Sequence, residues 1–275
     1  MKIIKLFLIF ILFSLLTFLT QIGGIALLIS FLTFRFIEKK ITKYWTRISA
    51  KVVSFILIYL LFVFAFVPIL AKPFGRVPLP VFQDHYLKPA NIWTCLLNRN
   101  YVKPQLKEIA LQVAMDMNKK FPGVTVNYLD ANFPFIDRFP LFPHLSHNDG
   151  KKLDVSFQYN DYLNQITNEV PSWIGYGICE EPKEGEADTP KLCDQQGYWQ
   201  YNLLHNLLLK DNENTFAFDA IRTKQLINLF TDRSEVSIVF IEPHLKNRLG
   251  LKSSKVRFHG CYAVRHDDHF HVQLK

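Results

Sequence analysis

Five of the nine histidines fall into two short stretches whose residue types and order are those of a metal site. His144 and His147 lie in PHLSHNDGKKLDV; His266, His269 and His271 lie in VRHDDHFHVQL. The first stretch leads into an alternating run. Leu153, Val155, Phe157 and Tyr159 point one way, and Asp154, Ser156 and Gln158 the other. The second ends in a run with His269, His271 and Gln273 on one face and Phe270, Val272 and Leu274 on the other. Laid side by side, the polar faces bring Asp154 and His271 together, with His147 on the loop ahead. Two imidazoles and a carboxylate, with a fourth position left for water, make the donor set of a catalytic zinc ion. Such an ion lowers the pKa of water and polarises a carbonyl oxygen. His269, on the same face as His271, is placed to manage a proton. His266 is placed to contact an oxyanion from the adjoining loop, and Asp267 and Asp268 are candidates to orient imidazoles.

The spacing His147, Asp154 and a distant His269-x-His271 resembles the zinc peptidases that group lysostaphin-type endopeptidases with D-Ala-D-Ala peptidases. It is most similar to the penicillin-insensitive murein endopeptidases, where a His-x-Ser-His stretch matches His144-Leu145-Ser146-His147 and a His-x-x-His-x-His stretch matches His266 to His271. The resemblance implies zinc on His147, Asp154 and His271, catalysis by His266 and His269, and a small antiparallel sheet with flanking helices. It implies peptide-bond hydrolysis in bacterial peptidoglycan, as endopeptidase or D,D-carboxypeptidase. The rival readings are a zinc-containing but inert module that binds cell wall or protein, and a zinc amidase.

Helices mixed with non-repeating strands around these stretches imply an α+β fold. Val102 to Phe121 reads as a helix with Pro104 in its first turn and Pro122-Gly123 as its stop. Val124 to Tyr128 reads as a strand, Asp219 to Phe230 as a helix, and Val236 to Ile241 and Val256 to Phe258 as further strands. The aromatic, proline-laden run Phe133 to Pro143 reads as an ordered loop. Trp173, Tyr176, Tyr198, Trp199 and Tyr201 read as core and loop base more than as a groove. Arg138 and Arg265 read as surface arginines, and His85, His205, His244 and His259 as ordinary polar residues.

The N-terminal quarter is of another kind. Residues 6–34 carry no charge, and neither do residues 52–71, so both are long enough to cross a bilayer. The first is one long span or a tight hairpin about Gln21, Gly23 and Gly24. Between them lies the basic loop 35–51, which favours the cytoplasmic side and sends the rest of the chain outward. Residues 1–71 hold eight Lys/Arg against Glu38 alone, whereas the remainder holds 24 Lys/Arg and 23 Asp/Glu. Seven of the eight net positive charges therefore belong to the membrane anchor, and a nucleic-acid reading, which needs a basic face on the folded domain, loses its main support. Residues 72–94 are Pro-rich and read as a linker, which leaves 95–275 as an extracytoplasmic domain. All four cysteines follow the second span, as expected where disulfides persist. Four allow three pairings; Cys179 with Cys193 is favoured, and Cys95 with Cys261 follows by elimination.

Overall fold

The computed structural model describes residues 2–207 and 215–275. Three helices come first: α1 (Lys2–Thr20), α2 (Gly23–Lys40) and α3 (Tyr44–Leu61). The last runs on through a π turn, Phe62–Phe66, into Val67–Leu70. Ile3–Thr20 and Tyr44–Leu70 are long and apolar enough to cross a membrane by length and composition. The uncharged run 6–34 is two helices, broken where Gln21 takes a φ of 63°. Small residues make the reversal possible. A Cβ on Gly24 would come within 2.2 Å of Thr17 Oγ1 and 2.7 Å of the Phe13 ring, so only glycine lets α1 and α2 approach this closely. The Thr20 hydroxyl accepts the Gly23 N–H at 2.8 Å and starts α2.

Beyond these helices the chain is mixed α and β, with a sheet of six strands. In chain order these are β1 (Leu87–Pro89), β2 (Val126–Tyr128), β3 (Lys152–Ser156), β4 (Val236–Phe240), β5 (Val256–Arg257) and β6 (His269–Leu274). Their spatial order is β5-β4-β6-β3-β2-β1. The four central strands pair antiparallel, as expected, but β1 joins β2 and β5 joins β4 in parallel. Each parallel pair is joined through a helix-containing crossover, the connection that parallel strands require. Between β1 and β2 lies α4 (Pro104–Lys120), and between β4 and β5 lies Pro243–Arg248. β1 also falls inside the segment expected to be a linker. Leu79 and Leu87 are fully buried, and Val77–Pro78 pairs with Tyr101–Val102, so the domain begins well before residue 95. Prolines are admitted there because these are edge strands.

One face of the sheet is apolar and covered. Leu153, Val155, Phe270 and Val272 pack there with Leu106, Ile109, Val113 and Met117 of α4. Leu226, Ile227 and Phe230 of α5 (Ala220–Thr231) join them. Each helix begins where its sequence says it should. Pro104 occupies the first turn of α4, and Asp219 caps α5 by accepting the Arg222 N–H at 2.8 Å. The period-2 alternation that fills this face sends Asp154, His269 and His271 to the other.

One disulfide is present among the described residues, and it joins Cys193 to Cys261. This corrects both expected pairings. Cys95 is buried beside the Tyr128 hydroxyl, and Cys179 is half-buried; both are free thiols. The Cys179 loop is drawn elsewhere, its Glu180 N–H donating to the Asp267 carbonyl at 2.7 Å. Cysteines that bracket a loop are close in sequence, but pairing is decided by which segments pack together, here the helix Thr189–Gln195 and the strand-leading loop before β6.

Candidate metal centre

Strands β3 and β6 lie side by side with His271 directly opposite Asp154. Their facing side chains meet, and His271 Nδ1 lies 2.9 Å from Asp154 Oδ1. His147 comes in from the loop before β3. Its Nε2 lies 2.9 Å from His271 Nδ1 and 3.1 Å from Asp154 Oδ1. All three residues are buried. The His147 Nδ1–H donates to the Ala131 carbonyl at 2.6 Å, which fixes the tautomer and leaves Nε2 as a lone pair aimed at the other two atoms. A tetrahedral ion held at ~2.0–2.1 Å sets its ligand atoms about 3.3 Å apart, close to the triangle seen here. These residues could hold a metal ion.

The other Asp154 oxygen faces a different set. Oδ2 accepts the Tyr176 hydroxyl at 3.0 Å and lies 3.1 Å from His144 Nδ1 and 3.7 Å from His269 Nε2. His144, Asp154 and His269 also form a group close enough to share an ion. The ring nitrogens of that group also have partners outside it. His144 Nδ1 is shared with Asp130 Oδ2 at 3.2 Å, and Asp130 in turn takes Arg99 Nη1 at 3.1 Å. His269 Nδ1 is held by the Asp268 carboxylate, whose other oxygen accepts the Gly177 N–H.

Charge states follow from these surroundings. Burial opposes ionisation of Asp154, yet His147, His269 and His144 outweigh it and hold the carboxyl well below the usual range. Burial also opposes charge on His269, but Asp268 and Asp154 overcome it and push the ring up to about 9. Burial lowers His271 to about 3 against the pull of Asp154. Burial, with His269 and His271 nearby, holds His266 well below the ordinary range. These surroundings favour the cation at His269 and the neutral ring at His271 and His266.

His147, Asp154 and His271 thus converge as expected, with His269 and His266 beside them; the His266 and His269 ring centres are 5.0 Å apart. Of the two aspartates expected to orient imidazoles, only Asp268 holds a ring of the site. Asp267 accepts the Arg265 guanidinium. Arg265 is accordingly no surface residue. It is buried, and it also reaches Glu181 Oε2 at 2.9 Å and Asn202 Oδ1 at 3.2 Å. His244 is buried as well and donates to the Glu180 carbonyl at 2.7 Å. Sequence reasoning passed over Asp130, Tyr176, Arg99 and the Ala131 carbonyl. Asp130 and Ala131 share the loop after β2, Arg99 and Tyr176 come from two others, and no spacing links them to the histidines.

The site opens into a cleft of roughly 440 Å³, walled by Phe142, Leu145, Trp199, His259 and Tyr262. Trp199 and Tyr262 are 68% and 79% exposed, so the aromatic run near the acidic loop divides. Tyr176 and Tyr201 are core, whereas Trp199 is a cleft wall. His259 is also a wall residue, stacked on His266 at 5.7 Å. The Cys193–Cys261 disulfide ties the Trp199 wall to the Tyr262 wall. The chain matches no protein-family model and no curated protein.

Proposed function

We propose that the chain is a membrane-anchored zinc peptidase that hydrolyses peptide bonds in bacterial peptidoglycan, with its domain on the extracytoplasmic side. The observation that carries this reading is the triangle of His147 Nε2, Asp154 Oδ1 and His271 Nδ1, all within 3.1 Å of one another. The Ala131 carbonyl fixes the His147 Nε2 lone pair toward the other two atoms. Zinc held there supplies Lewis acidity toward a substrate carbonyl and a water of lowered pKa. Hydrolysis divides one water across the C–N bond, oxygen to the carbonyl carbon and a proton to the departing amine. His269 is the residue for that proton: Asp268 fixes its ring, and its Nε2, buried and without a close partner, carries hydrogen at neutral pH. His266, neutral and on the cleft wall, can donate one N–H to the oxygen that gains negative charge. The exposed rings of Trp199 and Tyr262 suit a substrate that joins sugar and peptide surfaces.

The experiment uses the full-length protein in detergent, because the anchor and domain pack together. Expected are one zinc per chain and, by mass spectrometry of digested muropeptides, fragments with new amine termini, lost on chelation and in His271→Ala. Absence of bound zinc, or cleavage that survives both treatments, overturns the proposal. Products split between lactyl group and peptide would make it an amidase instead.

A further inference from the structure

The N-terminal helices are stitched to the domain at several points, some of them on the loop that carries His144 and His147. Gln21, in the turn between α1 and α2, is 6% exposed although it is polar and ends a helix. Its amide makes both of its bonds to one loop: Oε1 accepts the Phe135 N–H at 3.1 Å, and Nε2 donates to the Ile136 carbonyl at 3.4 Å. Asn98 Nδ2 donates to the Thr20 carbonyl at 3.3 Å. Ile22, Val63, Val67 and Ala71 of the anchor bury themselves with Tyr101 of the domain, and Phe135 packs against that cluster. The Tyr59 hydroxyl donates to the Leu96 carbonyl at 2.5 Å.

A second brace follows α3. Arg76 is 1% exposed and pairs with Asp137 on the same loop. Its guanidinium fills the space beside Gly150, where a Cβ would come within 2.5 Å of it. Residues 135–137 and 150 flank His144 and His147 on the chain, so the loop that presents these histidines is held at both ends from the anchor side.

We propose that the α1–α2 turn is a docking element of the external domain, and that residues 2–40 form a hairpin whose turn lies on the domain's side of the membrane. The charges agree. A hairpin returns Lys5 to the end where Arg35, Lys39 and Lys40 lie, within electrostatic reach of Glu38, which Lys51 of α3 also pairs at 2.5 Å. All the anchor's basic residues then gather at the end away from the domain, as the positive-inside rule requires. One long span from 6 to 34 would strand Lys2 and Lys5 on the outside. This inference does not depend on what the site catalyses.

The test uses the full chain in sealed vesicles and in detergent. An epitope tag ahead of Met1 and a Trp45→Cys probe are expected on one side, with Phe82→Cys on the other, by protease and impermeant-maleimide access. A tag found on the side of residue 82 overturns the hairpin. Hydrogen exchange of the peptide spanning residues 133–139 tests the docking. Gln21→Ala is expected to speed exchange at Phe135 about tenfold or more while leaving β3 unchanged. Gln21→Glu keeps the acceptor for that N–H and should restore protection. Unchanged exchange at Phe135 in Gln21→Ala overturns the docking role.

Discussion

Asp154 turns its two oxygens toward two differently built pairs of histidines. Oδ1 meets His147 at 3.1 Å and His271 at 2.9 Å, and the nearest nitrogens of those two rings lie 2.9 Å apart. Oδ2 meets Tyr176, His144 and His269, whose remaining contacts run outward to Asp130 and Asp268. Residue types and burial are nearly the same on both sides. What differs is the surroundings: on one side Ala131 turns the His147 Nε2 lone pair toward the group, and on the other Tyr176 donates to the oxygen while Asp130 and Asp268 take ring nitrogens. A group that could hold an ion is thus marked by an oriented lone pair as well as by its histidines.

The largest effect should come from testing which side holds the ion. His271→Ala is expected to weaken metal binding by more than ~100-fold, the upper range for outer residues, while His269→Ala leaves one metal per chain. Metal analysis after dialysis against buffered zinc measures both. Release from His269→Ala with retention by His271→Ala would reverse the comparison.

A smaller effect should follow from Tyr176→Phe, which removes a donor from Oδ2 and strands the Asp130 N–H that Tyr176 accepts at 2.9 Å. About tenfold weaker metal binding and a loss of ~1–3 kcal/mol in denaturant melts are expected. No change in chelator competition would mean that the donor side does not support the acceptor side.

The smallest effect lies one layer back. Glu242 Oε1 accepts the His266 N–H at 3.1 Å. Burial first, then Asp267, raise its carboxyl to about 7 from 4.5, with Tyr201 and Arg265 facing it and pulling the other way. The folded state therefore holds a proton that the unfolded chain has released, and this group's contribution to stability falls as pH rises from about 4.5 to about 7. Glu242→Gln should flatten that slope and be relatively more stable above it. A wild-type minus variant difference that is level across the window would show that Glu242 is already ionised.

Much of this site was legible because β-strands alternate strictly. Period 2 assigned Asp154 to the polar face of β3 and His271 to the polar face of β6; the pairing of these strands and its register then set the two opposite one another. The helices α4 and α5 announced themselves through Pro104 and Asp219. The hydrogen-bonding partners were not legible. Tyr176 and Asp130 reach the site from loops, where no periodicity relates sequence position to direction. Cys193 and Cys261 meet across 68 residues for the same reason.

Local rules, set by residue type and repeat, determined on their own where the apolar runs lie and which strand faces are polar. Tertiary structure alone decided that the uncharged N-terminal run folds back at Gln21, that the Pro-rich segment joins the sheet, and which neighbours each histidine of the site meets. Those outcomes turn on contacts between distant segments, whose energies depend on close packing and on donors meeting acceptors in space.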